Sequence, residues 1–368
     1  MKTFIKQIGC FFAFIAFASP VFGATWSGGG IDNFASTPAN WSGNVIPANG
    51  DSIIFDATSS KDCTWDLNQT YGSLTLQGGY TGTVTIVSAL ELWTPMFSAG
   101  GVPVSGYPNW EERAVQVVAN AVRQAPQQYR TTYTAFTNIL LPANYPAVAP
   151  LYWQEKLNRA ARAHAIDMAT WPCFQHDSCD GTSWIVRLKS YYPTIAFAGE
   201  CIAWIAGSPK AAVDLWLCES SNPSLCAADF GGGDGHRQNI MSANFRELGN
   251  GYYSSYWVMD FAVNTPTAQP PVASATHMTI NSQAVFWLNY YDTGAPQEVR
   301  VILNGSPTAM TLSIGTSNSG LYTAPATLEA GCQSYHFEAI DANGKVWRYP
   351  GTGEFRTYGI NSCTEDYQ

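Results

Sequence analysis

Four side chains in the middle of the chain have the types and settings that chemistry would use: His176, Glu200, Glu219 and His236. His176 follows an aromatic in Cys173-Phe-Gln-His176, in a loop just after a helical stretch. Glu200 lies in Phe197-Ala-Gly-Glu-Cys-Ile-Ala203, an apolar run in which a lone carboxylate is costly without a partner. Glu219 ends the amphipathic segment Trp216-Leu-Cys-Glu219, where an acid opposes the helix dipole. His236 sits in Asp234-Gly-His-Arg-Gln-Asn239 after a Gly-rich turn. Two imidazoles and two carboxylates suit one another. Each Glu can orient one ring nitrogen, which leaves the other two nitrogens to share a proton or a divalent metal, Zn2+ or another.

The same set supports a second reading, a metal-dependent hydrolase with a water on a His176/His236 metal and Glu200 or Glu219 as base. A third is a buried polar network that fixes the fold and binds nothing. Two neutral imidazoles alone make a modest metal site, because structural zinc takes four ligands. The remaining histidines read as bystanders. His164 shares the apolar face of its helix and is expected in the core. His277 and His336 lie in strand-like runs of the last block, read as having no acidic or cysteine context, and are expected at the surface or half-buried.

The cysteines point to the compartment. Cys10 falls in an N-terminal segment with Lys2 and Lys6 ahead of the apolar run Ile8–Ala18, with a break at Ser19-Pro20 and a cleavage position after Gly23. That is the layout of a secretory signal peptide, too short to cross a bilayer. Eight cysteines then remain, an even number that reads as disulfides in an exported chain. Proximity favours Cys173–Cys179, Cys218–Cys226 and Cys332–Cys363, leaving Cys63 and Cys201. With 18 Lys and Arg against 27 Asp and Glu, a net charge of −9, the chain lacks the electrostatic footprint of a nucleic-acid binder. No segment after the signal is long and apolar enough to span a membrane. The expected setting is secreted, extracellular or at the cell surface.

Around the four residues the chain falls into three blocks. Residues 24–93 hold short β runs, among them Asp51–Asp56, residues 72–77 and Thr83–Ile86, bounded by Gly, Asn and Asp, with Trp26-Ser-Gly-Gly and Trp41-Ser-Gly-Asn ahead of them. This block resembles the first rungs of bacterial β-solenoid and adhesin-like surface proteins. Residues 94–108, rich in Pro and Gly, read as a linker. In 109–264, Asn109 can cap a helix whose first turn carries Glu111 and Glu112. Val115, Val118 and Val122 follow at helical spacing. Residues 126–150, with four prolines, read as irregular. Leu157, Ala161, His164 and Met168 mark one face of a strong helix over about 152–169. Helices are expected over 183–190 and 209–219, and a hairpin over 248–263. Segregated helices and strands give an α+β fold. Residues 265–272 read as a second linker. Residues 273–368 hold about seven strand-like runs with Asn304-Gly305 and Asn343-Gly344 turns, which suggests an immunoglobulin-like sandwich.

The middle block resembles the CAP superfamily (cysteine-rich secretory proteins, antigen 5, pathogenesis-related 1), and within it the bacterial SCP-like extracellular group. The runs that carry the resemblance are Pro150-Leu-Tyr-Trp153, the helix Leu157–Ala169, Phe174-Gln-His176 with Asp180-Gly181, Ala198-Gly-Glu-Cys-Ile-Ala203, Trp216-Leu-Cys-Glu219 and Gly235-His-Arg-Gln-Asn-Ile-Met241. They stand in the family's order and end in its glycine-aromatic hairpin, here Leu248-Gly-Asn-Gly-Tyr252. The resemblance implies a central α-β-α sandwich and a cavity lined by His176, Glu200, Glu219 and His236. Some members hold zinc or another divalent ion on the two His, and others bind sterols or fatty acids. It implies a site and no particular reaction, so a binding or interaction protein is the leading expectation, with a small apolar, lipid or glycan ligand and a cell-surface partner. The family's usual Gly-Glu-Asn-Ile is here Gly199-Glu-Cys-Ile202, and Cys201 can pair instead with Cys63.

Overall fold

The structure is a computed structural model that describes residues 23–47, 51–68, 70–71, 73–88, 91–92, 108–171, 173–266, 269–280, 283–360 and 362–368. The signal segment 1–23 and the first linker 94–108 lie outside them, apart from Gly23 and Pro108. The described residues up to 92 form one compact unit and those from 108 a second.

The first unit is built of short parallel strands: β1 (Gly23–Thr25), β2 (Ser52–Phe55), β3 (Cys63–Trp65), β4 (Thr70–Tyr71), β5 (Ser73–Leu76), β6 (Val84–Ile86) and β7 (Glu91–Leu92). β1, β2 and β5 pair side by side, as do β3 with β6 and β4 with β7, all parallel. Ser52 pairs with Ser73, Cys63 with Val84 and Thr70 with Glu91, each 21 residues apart. The two recurring tryptophans, Trp26 and Trp41, are both buried and meet edge to face at 5.2 Å. Phe55, Trp65 and Tyr71 complete an aromatic core.

In the second unit the elements are α1 (Trp110–Gln124), α2 (Pro126–Tyr133), β8 (Tyr152–Trp153), α3 (Glu155–Thr170), α4 (Trp184–Tyr191), β9 (Ala198–Trp204), α5 (Pro209–Cys218), α6 (Gly235–Met241), β10 (Glu247–Tyr253) and β11 (Tyr256–Ala262). Four strands make a sheet in the order β8-β10-β11-β9, with β9 at the edge. Side chains alternate across it. Ala198, Ile202, Val258 and Ala262 face α3 and α4. Cys201, Ala203, Trp257, Met259 and Phe261 share a core with α1, α5 and α6. Three layers result, helix on sheet on helix.

One segment differs from the sequence expectation. Residues 126–133 are helical, because Pro126 opens α2 at a position whose N–H needs no partner. His236, read as following a Gly-rich turn, lies in the first turn of α6.

Beyond β11 come β12 (Val272–Ile280), β13 (Gln283–Tyr291), β14 (Glu298–Leu303), β15 (Ser306–Ala309), β16 (Thr311–Thr316), β17 (Ser319–Pro325), β18 (Ser334–Ile340), β19 (Val346–Tyr349) and β20 (Phe355–Arg356). They form two antiparallel sheets, β12-β13-β17-β16 and β15-β14-β18-β19 with β20 on β18, around a shared core. The expected linker over 265–272 gives way to β12 at Val272, which is fully buried.

Nor does this sandwich stand apart from the α-β-α layers. Glu112 to Gln124 of α1 are all buried. The polar stripe Gln116, Asn120 and Gln124, which an outer helix would show to water, bonds instead to Ala273 O, Ser274 Oγ and Tyr290 O at 3.4, 3.0 and 2.6 Å. At the helix start Trp110 donates to His277 O at 2.9 Å, and Arg113 pairs with Asp366 at 3.1 Å over the Phe355 ring. His277, expected near the surface, is therefore fully buried, held by Tyr335 Oη at 2.6 Å and Tyr358 O at 2.9 Å. His336 is nearly buried and, against the sequence reading, meets two acids, Glu354 at 3.1 Å and Glu338 at 3.6 Å.

Candidate functional site

Each of the two histidines is held by one of the two glutamates. His176 Nδ1 lies 2.8 Å from Glu200 Oε1, and His236 Nδ1 lies 2.6 Å from Glu219 Oε2. A carboxylate accepts only, so Nδ1 is the donor in both rings and Nε2 is the nitrogen turned away from the carboxylate. No described residue bonds to either Nε2.

Glu200 occupies the middle of the edge strand β9 and is almost wholly buried. Arg187 of α4 reaches its Oε2 and also donates to His176 O at 3.0 Å. One guanidinium thus fixes both the carboxylate and the loop that carries the imidazole. Charge-assisted contacts of this kind are the stronger sort. Across the sheet Asp260 of β11 pairs in register with Glu200. Its carboxyl is fully buried, and burial followed by the neighbouring Glu200 charge pushes its pKa well up, so it carries a proton.

Glu219 stands one residue past α5 with φ 61°, a left-handed conformation unusual for a side chain of this size. The sequence reading set this acid against the dipole of its own helix. Its turn, however, brings it to the start of another: Oε1 accepts the backbone N–H of His236 at 2.7 Å, a free donor in the first turn of α6. Beside His236, Arg237 is fully buried, pairing with Asp229 at 3.1 Å and Asp234 at 3.4 Å and donating to Ala227 O at 2.7 Å. Tyr145 clamps Asp234 at 2.7 Å.

The two pairs are neighbours through the edge of β9. Asn239, one turn beyond His236, donates to Glu200 O at 3.2 Å. Cys201 Sγ lies 3.8 Å from His236 O. Cys201 and Cys63 are both free, buried thiols, each inside its own unit, so the suggested bridge between them is not made. Burial pushes both thiol pKa values up, which leaves them unreactive. Disulfides join Cys173 to Cys179, Cys218 to Cys226 and Cys332 to Cys363. The first closes the loop that presents His176, and the second closes the loop between Glu219 and α6.

Sequence reasoning missed Arg187, Asp260 and Asn239. Asp260 carried the same signal as Glu200, one acid in an apolar strand, Tyr256-Trp-Val-Met-Asp-Phe-Ala262. Arg187 and Asn239 gave none. His164 is a core residue as expected, buried and bonded to Gln175 O at 2.9 Å. Among the described residues, one group of three ligand atoms lies close enough to share a metal, Asp167 with Cys173 and Cys179, and there both sulfurs are spent in a disulfide. The donor set at the two pairs is thus two imidazole nitrogens, each oriented by a carboxylate. That set falls short of a closed structural zinc site, which takes four ligands.

Two cavities of this unit are lined by none of the four residues. One of about 610 Å³ is lined by Phe136, Trp204, Ile205, Leu215 and Pro223 with Asp214. Another, of about 660 Å³, lies between α3, α4 and the 173–182 loop. Among the described residues no helix is long and apolar enough to cross a membrane.

The family model for CAP, the Cysteine-rich secretory protein family, matches residues 120–261, from α1 to β11, a stretch that includes all four residues. The chain is 32% identical over 114 residues to the uncharacterized protein YkwD of Bacillus subtilis, covering 30% of this chain and 39% of that one. Among solved structures, it is similar to an extracellular protein containing a SCP domain from Bacillus anthracis, with 24% identity, 38% of this chain and 40% of that chain covered and a TM-score of 0.27. It is also similar to an outer surface protein of Borrelia burgdorferi, with 17% identity, 31% of this chain and 78% of that chain covered and a TM-score of 0.26.

Proposed function

The chain carries a CAP domain over residues 120–261, and from that premise we propose that it is an exported or cell-surface binding protein whose His176 and His236 share a divalent metal. The observation that carries this reading is the pairing of both Nδ1 atoms with carboxylates at 2.8 and 2.6 Å. A carboxylate on one ring nitrogen fixes the tautomer and raises the basicity of the other, the usual support of a metal-ligating imidazole. A bound metal would supply a Lewis-acid centre; the chain's own residues orient the imidazoles and hold the loop and helix that present them.

Three disulfides and the N-terminal apolar run support export. The parallel 21-residue register of the first unit supports a solenoid-like module, and the two C-terminal sheets around one core support an immunoglobulin-like one. Both would attach or space the CAP domain at a surface.

The test is metal content by mass spectrometry after dialysis against Zn2+, for the wild type and for His176→Ala/His236→Ala. One bound metal per chain, lost in the double variant, is the expected result. A metal-free wild type, or metal retained by the variant, overturns the reading.

A second reading rests on the 610 Å³ cavity, whose Phe136, Trp204, Ile205 and Leu215 lining suits a small apolar ligand. Uptake of an apolar dye that Trp204→Ala abolishes would support it, and uptake unchanged by that variant would sink it.

A further inference from the structure

The loop that presents His176 carries a second set of donor atoms, which the His176/His236 reading does not use. Asp167 in the last turn of α3 and the loop cysteines Cys173 and Cys179 offer three ligand atoms within 4.8 Å of one another. The two cysteines are joined, and neither is fully buried. We propose that this disulfide gates a second metal site. Once it is reduced, Cys173 and Cys179 hold a thiophilic divalent cation of the zinc class, together with Asp167 and His164.

The independent pointer is His164, one turn before Asp167 on α3. Its ring is fully buried. Nε2 lies 2.9 Å from Gln175 O of the same loop, and a carbonyl only accepts, so Nε2 is the donor. Nδ1 stands 3.7 Å from Asp167 Oδ2, too far for a hydrogen bond, and has no hydrogen-bond partner among the described residues. A buried polar atom left in that state is uncommon. Two ligands of one tetrahedral zinc, each about 2.0–2.3 Å from it, stand roughly 3.3–3.8 Å apart. An imidazole whose far nitrogen is fixed by a backbone carbonyl is also the usual form of a metal-binding histidine.

Reduction leaves these donors in place, because the loop is held by more than its disulfide. Cys179 N donates to Asp167 Oδ2 at 2.8 Å and Ser178 N to Thr182 O at 2.8 Å. Trp184 N donates to Asp177 Oδ1 at 2.9 Å, and Arg187 reaches His176 O and Ser178 Oγ at 3.0 and 3.1 Å. The cysteines are only six residues apart in sequence, and a cross-link that closes a short loop contributes least to stability. Their Cα atoms lie 5.9 Å apart, so side-chain rotation can part the sulfurs onto one ion. Asp167 and Cys179 also line the 660 Å³ cavity, which gives the ion a way in.

The chemistry needs a dithiol as reductant. Two electrons from it break the S–S bond and its two protons yield two thiols, while the donor closes to its own disulfide. The incoming cation then displaces both thiol protons to solvent. Two thiolates with an imidazole and a carboxylate select zinc or cadmium over calcium and magnesium, which take oxygen ligands.

The test is Cd2+ titration of the mature His176→Ala/His236→Ala chain, before and after reduction with dithiothreitol and desalting without air. The ultraviolet thiolate-to-cadmium charge-transfer band and native mass spectrometry read the uptake. The expected result is no bound ion before reduction, and after it one Cd2+ per chain with a thiolate band. Adding Cys173→Ser/Cys179→Ser should remove that ion, and the comparison subtracts whatever the other reduced cysteines take up. A near-ultraviolet circular dichroism spectrum matching the reduced parent shows that this loss is not unfolding. Asp167→Asn and His164→Gln should each weaken uptake at least about tenfold while the band remains. Stoichiometric uptake before reduction, none after it, or uptake indifferent to Cys173 and Cys179 or to Asp167→Asn overturns the proposal. The histidine pair is absent throughout, so no outcome bears on the His176/His236 reading.

Discussion

Asp260 lies directly across from Glu200 on the neighbouring strand, fully buried, with neither carboxyl oxygen bonded to any other described residue. Two acids so placed cannot both ionise, and since Glu200 is held by Arg187 and His176, Asp260 keeps the proton. Its folded-state pKa is raised, so its contribution to stability is fully present below the unfolded value of about 3.9 and is lost as pH rises above it. At neutral pH the wild type therefore bears a penalty that a neutral isostere avoids. Asp260→Asn, in EDTA, is expected to melt above the wild type at neutral pH, with the gap closing as pH falls toward about 4. Thermal denaturation of both proteins across that range checks it, and a gap that does not depend on pH would refute the assignment.

Glu112 looks in the sequence like a first-turn acid that caps α1, and it does cap, accepting from Asn109 N at 3.0 Å. Its larger part is interior. Both oxygens bond Arg162 at 2.7 Å, and Asn158 and the backbone N–H of Tyr252 bond them as well, tying α1, α3 and β10 together. Removing one member of a buried pair strands the other, at about 3 kcal/mol or more. Glu112→Ala should lose that much in urea unfolding, far beyond the loss of about 1 kcal/mol that a cap alone implies.

What the sequence disclosed was whatever repeats along one element. The apolar face of α3 was legible because Leu157, Ala161, His164 and Met168 recur at helical spacing, and all four are fully buried. The acids Glu200 and Glu219 were legible as misfits in apolar or dipole-opposed settings. Partnerships made between elements left no such trace. Arg187 reads as an ordinary helix cation until α4 is laid against β9. The stripe Gln116, Asn120 and Gln124 reads as a wet face until β12 and β13 cover it. Proline misled at Pro126, where it begins a helix, and again at Pro270-Pro271, where a strand buried from Val272 to Met278 follows at once.

The hairpin Leu248-Gly-Asn-Gly-Tyr252 shows why two of its residues have no side chain. A Cβ on Gly249 would overlap the α3 backbone at Leu157 and Asn158, and one on Gly251 would overlap Ala161 and Arg162. α3 lies on β10 at backbone contact, and neither element can retreat without opening the core between them. Gly251→Ala is expected to destabilise by about 3 kcal/mol or more, at the upper end of overpacking. Loss of soluble protein, or a fall in melting temperature by more than about 10 °C, would bear this out, and a near-neutral variant would show that α3 can shift.

His277 should make the junction between α1 and the C-terminal sheets sensitive to acid. Burial, reinforced by nearby Arg113, lowers its pKa to about 3, so the ring is neutral in the folded state. Its ring also stacks on Trp110 at 5.3 Å, which leaves a proton no solvated exit. Above the unfolded value of about 6.5 neither state binds a proton and the residue has no effect on pH dependence. Below it the unfolded chain takes one up while the folded chain does not, so stability falls by up to about 1.4 kcal/mol per pH unit until the folded pKa is reached. Urea unfolding between about pH 6.5 and 4 should therefore show a slope in the wild type that His277→Gln reduces by one proton, whatever the variant loses in baseline stability. An unchanged slope would mean that His277 is charged where it lies, and that its two hydrogen bonds, to Tyr335 and Tyr358, outweigh its burial.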